Sequence, residues 1–318
     1  MKQKKNIHWR LFICCVIVAA LTSCKDHFDL DQLQNPSKLV LYCFPSSADT
    51  TYISVTSSVG VKKYADTHKI AKVAGARVSY AVNGQPRQVQ RQDDGTFYVL
   101  GAHQPGDRVS ISVEHPDYAS VSAETVVPER VPVELRDVRE VVEYDSYWLE
   151  LVHYYQLRAT FTDPAATTDY YAVRVRVQGF SGDNRPQEYW PEIFTLDEPL
   201  LQSLSGIDED FGFENEYYSR FYIFSDQDIN GQTYTMHLDI QALHYSYDPD
   251  SPAHYQVLLY KIAPEYYYFL KSINDVENNE LAKGGFAQLM PTYTNIRQGV
   301  GVMGGYWWQA SEWRLLDE

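Results

Sequence analysis

In three long stretches of this 318-residue chain, apolar and polar side chains alternate residue by residue, a pattern that a helix cannot satisfy. Tyr155, Leu157, Ala159 and Phe161 alternate with Gln156, Arg158, Thr160 and Thr162. Tyr171, Val173, Val175 and Val177 alternate with Ala172, Arg174, Arg176 and Gln178, and Tyr234, Met236, Leu238 and Ile240 with Thr235, His237, Asp239 and Gln241. Neighbouring side chains of a strand point to opposite faces, so each stretch predicts a strand with one face in a core and the other in solvent.

Upstream the same alternation comes in shorter pieces, over 39–44, 52–56, 76–82, 88–91, 97–100, 108–113 and 121–127. Their connections carry turn chemistry. Asn83-Gly84 and Asp94-Gly95 tolerate the positive φ of tight hairpins, and Gln104-Pro105-Gly106-Asp107 puts Pro and Gly at the central positions of a turn. Seven short strands so punctuated predict an antiparallel sandwich of immunoglobulin-like or transthyretin-like type over residues 37–130. Pro128 and Pro132 mark a junction, and residues 131–318 are read as a second, larger sandwich. The predicted fold class is therefore mainly β, with two antiparallel β-sandwich domains.

One helix is expected, over about 264–283. Pro264 suits a first helical position, Tyr266, Phe269, Leu270, Ile273 and Val276 recur at helical spacing, and Gly284-Gly285 ends the pattern. The stripe reads as core contact against a sheet. Residues 181–230 form an insertion with twelve acidic and two basic side chains, read as a solvated loop or, functionally, as a docking surface for a basic partner or a cation. Its aromatics, Trp190 among them, are more than a purely solvating loop needs, so part of it is expected to pack.

At the amino terminus Lys2, Lys4, Lys5 and Arg10 precede an apolar run over 11–20, too short for a membrane span of about 20 residues but laid out like an export signal. The run ends in Leu21-Thr22-Ser23-Cys24, which resembles the bacterial lipobox. That resemblance implies removal of residues 1–23 and acylation of Cys24, with 24–36 as a polar tether. Two or more acyl chains give stable attachment, at about 0.8 kcal/mol per buried methylene. Lys25, Asp26, Asp29 and Asp31 resemble the surface-export signals of Bacteroidota lipoproteins, which implies an outer-membrane protein facing the cell exterior, with the periplasmic face as the alternative.

The four basic residues of 1–23 leave 23 of the 27 Lys and Arg against 42 Asp and Glu, a net charge of −19. So negative a surface excludes nucleic acid as a natural partner. Cys14 and Cys15 leave with the signal and Cys24 is the anchor, so Cys43 has no cysteine to pair with and reads as a small buried hydrophobe. Gly299-Val300-Gly301-Val302-Met303-Gly304 spells the dinucleotide fingerprint but lacks the following helix and acidic residue, and the glycines are better explained by a bulge or a close strand contact. Asp226-Gln227-Asp228-Ile229-Asn230-Gly231 resembles the opening of a calcium loop, yet His237 stands where its bidentate Glu belongs, so a hairpin turn is expected. No catalytic constellation, cofactor motif or metal-ligand spacing emerges.

The segment from Gly75-Ala76-Arg77-Val78 through Asp94-Gly95-Thr96-Phe97-Tyr98 to Gly106-Asp107-Arg108-Val109 resembles the regulatory domains found beside carboxypeptidases and transporters, which are spacers or binding modules. The run from Phe286 through Asn295-Ile296 and Gly299-Val300-Gly301-Val302-Met303-Gly304-Gly305, with the helix opening Pro264-Glu265-Tyr266-Tyr267-Tyr268 and the Asn230-Gly231 turn, resembles the Bacteroidota lipoprotein family known as domain of unknown function 4249. Met303 replaces a customary aromatic. The resemblance implies an outer-membrane lipoprotein that assists a TonB-dependent receptor in nutrient uptake. An adhesin or glycan-binding lipoprotein, suggested by 26 tyrosines and the tryptophans, is the alternative, and an uncharacterised hydrolase is a third. Asp208, Glu209, Asp210, Trp190, Trp307 and Trp308 are the candidate docking residues.

Overall fold

The computed structural model describes residues 36–59, 71–145, 150–180, 186–195, 197–202, 220–241, 252–283 and 291–317. Cys24 and the tether lie outside them, as do Asp208, Glu209, Asp210 and Gly284-Gly285. In the first half the strands are β1 (Leu39–Cys43), β2 (Thr50–Ser57), β3 (Ala71–Lys72), β4 (Arg77–Val82), β5 (Gln85–Arg87), β6 (Val89–Arg91), β7 (Phe97–Leu100), β8 (Arg108–His115) and β9 (Tyr118–Val126). The second half holds β10 (Val133–Asp145), β11 (Glu150–Thr162), β12 (Tyr170–Phe180), β13 (Pro186–Tyr189), β14 (Ile193–Phe194), β15 (Ile223–Ser225), β16 (Thr233–Gln241) and β17 (His254–Ile262). Helices α1 (Pro264–Glu277) and α2 (Glu280–Lys283) follow, then β18 (Val300–Met303) and β19 (Tyr306–Ala310).

These strands make two sandwiches, each closed over its own apolar core. The first packs the sheet β18-β1-β2-β7-β6 against β5-β4-β8-β9, burying Leu39, Leu41, Ile53, Val109 and Val113 between them. The second packs β10-β11-β16-β14 against β13-β12-β17-β19 over Leu157, Tyr171, Val173, Met236 and Leu238. The alternating stretches sit as expected: Tyr155, Leu157, Ala159 and Phe161 are all buried, as are Tyr171, Val173, Val175 and Val177. Each fully buried Leu, Val or Phe side chain contributes about 1.5–3 kcal/mol of transfer free energy. The Asn83-Gly84 turn takes positive φ at both residues, 51° and 76°, which matches the right-handed twist of the β4–β5 hairpin.

The expectation of purely antiparallel sheets needs correcting at one place. Strand β18 returns from the far end of the sequence and pairs parallel with β1, from Val40 opposite Val300 to Cys43 opposite Met303. A residue read with the second domain thus fills the first core, where Met303 is fully buried beside Cys43. Gly299 and Gly301 serve this close approach, while Gly304 makes room for Tyr266 of the helix. A Cβ on Gly301 would lie 2.1 Å from the carbonyl oxygen of Leu41, and its φ of +105° is one that L side chains rarely adopt. Asn295 pins the other side of the strand, its amide donating to the Met303 carbonyl at 2.8 Å and its carbonyl accepting from the Met303 N–H at 3.0 Å.

Two other expectations change. Within 181–230 the described residues include β13, β14 and β15, which join both sheets of the second sandwich, so this part is not a solvated loop. Its Glu198 is fully buried, accepting from the Tyr234 hydroxyl at 2.9 Å and the His237 N–H at 2.7 Å. The turn at 226–231 is not a hairpin, because β15 pairs with β12 in one sheet and β16 with β11 in the other. The helix forms where expected and covers its whole apolar stripe, closing at Glu277 where the Asn278 N–H bonds the Asn274 carbonyl, and α2 continues over Glu280–Lys283.

Helix α1 lies between the outer faces of the two sandwiches. Phe269 and Leu270 share a cluster with Tyr42 and Val302 of the first sheet and with Tyr170, Ala172, Tyr260 and Ile262 of the second sandwich. Asn274 clamps the helix to the segment before β15 by donating to the Phe221 carbonyl and accepting from its N–H. No helix among the described residues is long and apolar enough to cross a membrane.

His103 gives the first sandwich a pH-dependent element. It is 2% exposed, with Nδ1 3.2 Å from the Ser46 carbonyl and Nε2 2.8 Å from the Tyr80 hydroxyl. A carbonyl only accepts, so Nδ1 carries the proton and Nε2 accepts from Tyr80. Burial lowers the imidazole pKa below its ordinary 6.5. The unfolded chain therefore binds this proton at a pH where the folded chain does not. The His103 contribution is complete above about pH 6.5 and is lost as pH falls through the folded pKa. Urea titrations between pH 8 and 5 are expected to show stability falling below about pH 6.5, with the drop reduced in His103→Gln.

Candidate functional site

The outer face of the sheet β13-β12-β17-β19 gathers side chains from four strands and the carboxy-terminal segment. Its registers place Ala172 opposite Tyr260 and Tyr260 opposite Trp308, with Arg174 opposite Leu258 and Arg176 opposite Gln256. These residues all point away from the core, because Tyr171, Val173, Val175 and Val177 point into it. Trp190, just past β13, closes over β12. Its ring lies 4.5 Å from the Arg174 guanidinium carbon and 5.8 Å from that of Arg176. Trp313 covers Arg176 from another side at 4.8 Å.

The two arginines differ in what they have left to give. Arg176 is engaged by the Gln256 carbonyl oxygen and sits 3.6 Å from the Glu188 carboxylate. Arg174 is exposed and has neither a hydrogen bond nor an ion pair among the described residues; its contact is the ring of Trp190. Stacking occupies the flat face of a guanidinium and leaves its in-plane N–H fork free, oriented by the ring. Burial raises the Tyr260 phenol above its ordinary range, and the positive charges of Arg174 and Arg176 oppose that rise. Leu258 is only 3% exposed despite facing outward, so the surrounding side chains roof it, while Trp190 and Trp308 each remain 40% exposed.

Of the candidate docking residues, Trp190 and Trp308 both lie on this face, Trp190 over β12 and Trp308 beside Tyr260. Trp307 does not: the next residue along β19, it points the other way and packs against the first core, with Arg130 6.0 Å from its ring. Arg174, Arg176 and Trp313 were not singled out from the sequence. The available signal was a pair of arginines on the solvent face of a strand in a chain otherwise short of cations.

A second constellation lies at the end of the same sandwich. Asp163 after β11, Asp169 before β12 and Asp226 after β15 are buried, with carboxylate oxygens within 4.8 Å of one another. Three such acids have the chemistry to hold a hard cation. Here they are served by the protein's own donors. Lys261 Nζ is 2.6 Å from Asp169 Oδ2, and both side chains are 7% exposed. Asp163 accepts from the Tyr171 hydroxyl and the Gly231 N–H. Asp226 accepts from the Asp169 N–H at 2.7 Å and from Asn230. Burial, reinforced by Asp163 and Asp169, raises the Asp226 pKa against the lowering effect of the Asp169 N–H. Asp226 also borders a shallow recess of about 410 Å³ lined by Tyr170, Tyr267, Tyr268, Asn230 and Lys271. The network ties the β11–β12 connection to the turn between sheets, and Asp226 is the member that sequence inspection had picked out.

No curated protein matches the chain at a significant level. A family model, domain of unknown function 4249, matches residues 25–311, a range that takes in both β1 and β18. The chain therefore belongs to the family known as domain of unknown function 4249.

Proposed function

We propose that this protein is an outer-membrane lipoprotein of Bacteroidota type, anchored through acyl chains on Cys24, that captures a ligand at the cell surface for a TonB-dependent receptor. The observation that carries the reading is the arginine and tryptophan face of the second sandwich, where a guanidinium with no ion pair among the described residues and two rings that are 40% exposed stand on one sheet. Side chains of this kind are enriched where proteins meet partners, and a folded core gives no reason to leave them exposed. Leu21-Thr22-Ser23-Cys24 supports the anchor. On this reading the first sandwich is a regulatory-like spacer that holds the capturing face away from the bilayer. A glycan-binding lipoprotein acting without a receptor is the second reading, favoured by the same exposed tryptophans.

The test is affinity purification of the anchored protein from gently solubilised membranes. A co-purifying large β-barrel is expected, and Cys24→Ser is expected to leave the precursor unprocessed, unacylated and without the barrel. Recovery of the anchored protein alone would remove the receptor partnership. Membrane attachment and processing that survive Cys24→Ser would remove the anchor.

A further inference from the structure

We infer that the outer face of β12, β17 and β19 is a binding site for a carboxylate-bearing saccharide, with Arg174 pairing to the carboxylate and Trp190 and Trp308 presenting rings to the sugar. The inference rests on the reading of this face as the capturing surface and names the chemistry it captures.

Three observations converge on that ligand. Arg174 is an exposed cation with no ion pair among the described residues, in a protein whose 318 residues carry a net charge of −15. A guanidinium with no acidic partner among the described residues, held over the ring of Trp190, is a preformed fork for one carboxylate. The aromatic part of the face is spread out across the strands. Trp308 stands two strands from Ala172, about 10 Å at ordinary strand spacing. A pyranose ring offers an apolar C–H face with a hydroxyl rim, which suits a broad indole surface, whereas a peptide side chain needs a pocket. A hydrogen-bonding group stands beside the ring of Trp308 in Tyr260, whose ring centroid lies 6.4 Å away.

Charge also decides against a bilayer surface as the occupant. Membrane-docking faces carry several cations, each contributing about 1 kcal/mol. This one has two, and Arg176 is already paired with Glu188. The remaining guanidinium, without an ion pair among the described residues, matches a single acidic sugar.

The experiment titrates the mature anchored protein in mild detergent with trigalacturonate and with its methyl ester, following tryptophan fluorescence. Saturable binding of the acid is expected, with the ester weaker by about tenfold or more, as for loss of a charged hydrogen bond. Arg174→Gln is expected to bring acid and ester to equal affinity, with Arg174→Lys between. Trp308→Ala is expected to weaken acid and ester alike. Raising the salt concentration is expected to weaken the acid and spare the ester. Equal affinity of the unaltered protein for acid and ester overturns the inference, as does no saturation by about 10 mM. Arg174-dependent binding to vesicles containing an anionic lipid, without a response to the saccharide, assigns the face to the membrane and overturns it too. The receptor partnership is read separately by affinity purification, so saccharide binding without a barrel leaves this inference standing and removes only that partnership.

Discussion

Gly301→Ala is expected to lower the stability of the protein by at least about 3 kcal/mol, read as a fall in the urea midpoint. Two penalties act together. The residue has a φ of +105°, and the added methyl would lie 2.1 Å from the Leu41 carbonyl oxygen and 2.9 Å from its carbon, both backbone atoms. Backbone cannot swing aside, so β18 must move off β1, which also lifts Met303 from the first core. Gly84→Ala is the control. Gly84 has a comparable positive φ of +76° with nothing within 4 Å of its would-be Cβ, so it carries the conformational penalty alone, about 1 kcal/mol. Equal losses at the two positions would show that the β1–β18 contact can relax.

Lys261→Met is expected to cost about 3–5 kcal/mol at neutral pH, because it removes the ammonium beside Asp169 and leaves three buried carboxylates with neutral donors only. The pH dependence has a definite sign. The folded pKa of Asp226 is raised above the ordinary 3.8, so the folded state takes up its proton before the unfolded chain does. The associated stability is fully present below pH 3.8 and is lost as pH rises through the folded value. Protonation of Asp226 relieves the repulsion among the three carboxylates, so the gap between Lys261→Met and the unaltered protein narrows as pH is lowered from 7 toward 4. Adding Asp226→Asn to Lys261→Met is expected to recover part of the loss at pH 7, since an amide oxygen still accepts from the Asp169 N–H. A single-variant loss under about 1 kcal/mol would mean that water reaches the corner and screens it.

The strands with one covered face were legible in the sequence because burial on one side writes a period of two. β17 was not, although it is central: Tyr255 to Leu259 are all buried, since the second core lies on one side and the arginine and tryptophan cover on the other. A strand covered on both faces has no alternation to read. β10 is missed for a different reason, a register shift between Leu135 and Asp137 that breaks the period. The glycines of 299–304 could be assigned to a close strand contact, but not to β1 as the partner, because 260 residues separate Val40 from Val300. The site follows the same logic. Trp190 and Trp308 could be picked out by residue type. Their sharing one face with Arg174 depends on β12, β17 and β19 lying side by side, and the meeting of Asp163, Asp169 and Asp226 with Lys261 on the end of the sandwich where four chain segments converge. Local pattern carries none of that.

The parallel pairing of β1 with β18 bears on how the molecule acquires its shape as it is synthesised. The amino-terminal half is made first, yet its sheet keeps an open edge at β1 until the closing stretch of the polypeptide arrives. Maturation is therefore not a march from one end to the other. The early half waits, with backbone groups unsatisfied along that edge, and the whole assembly locks only when its two ends meet.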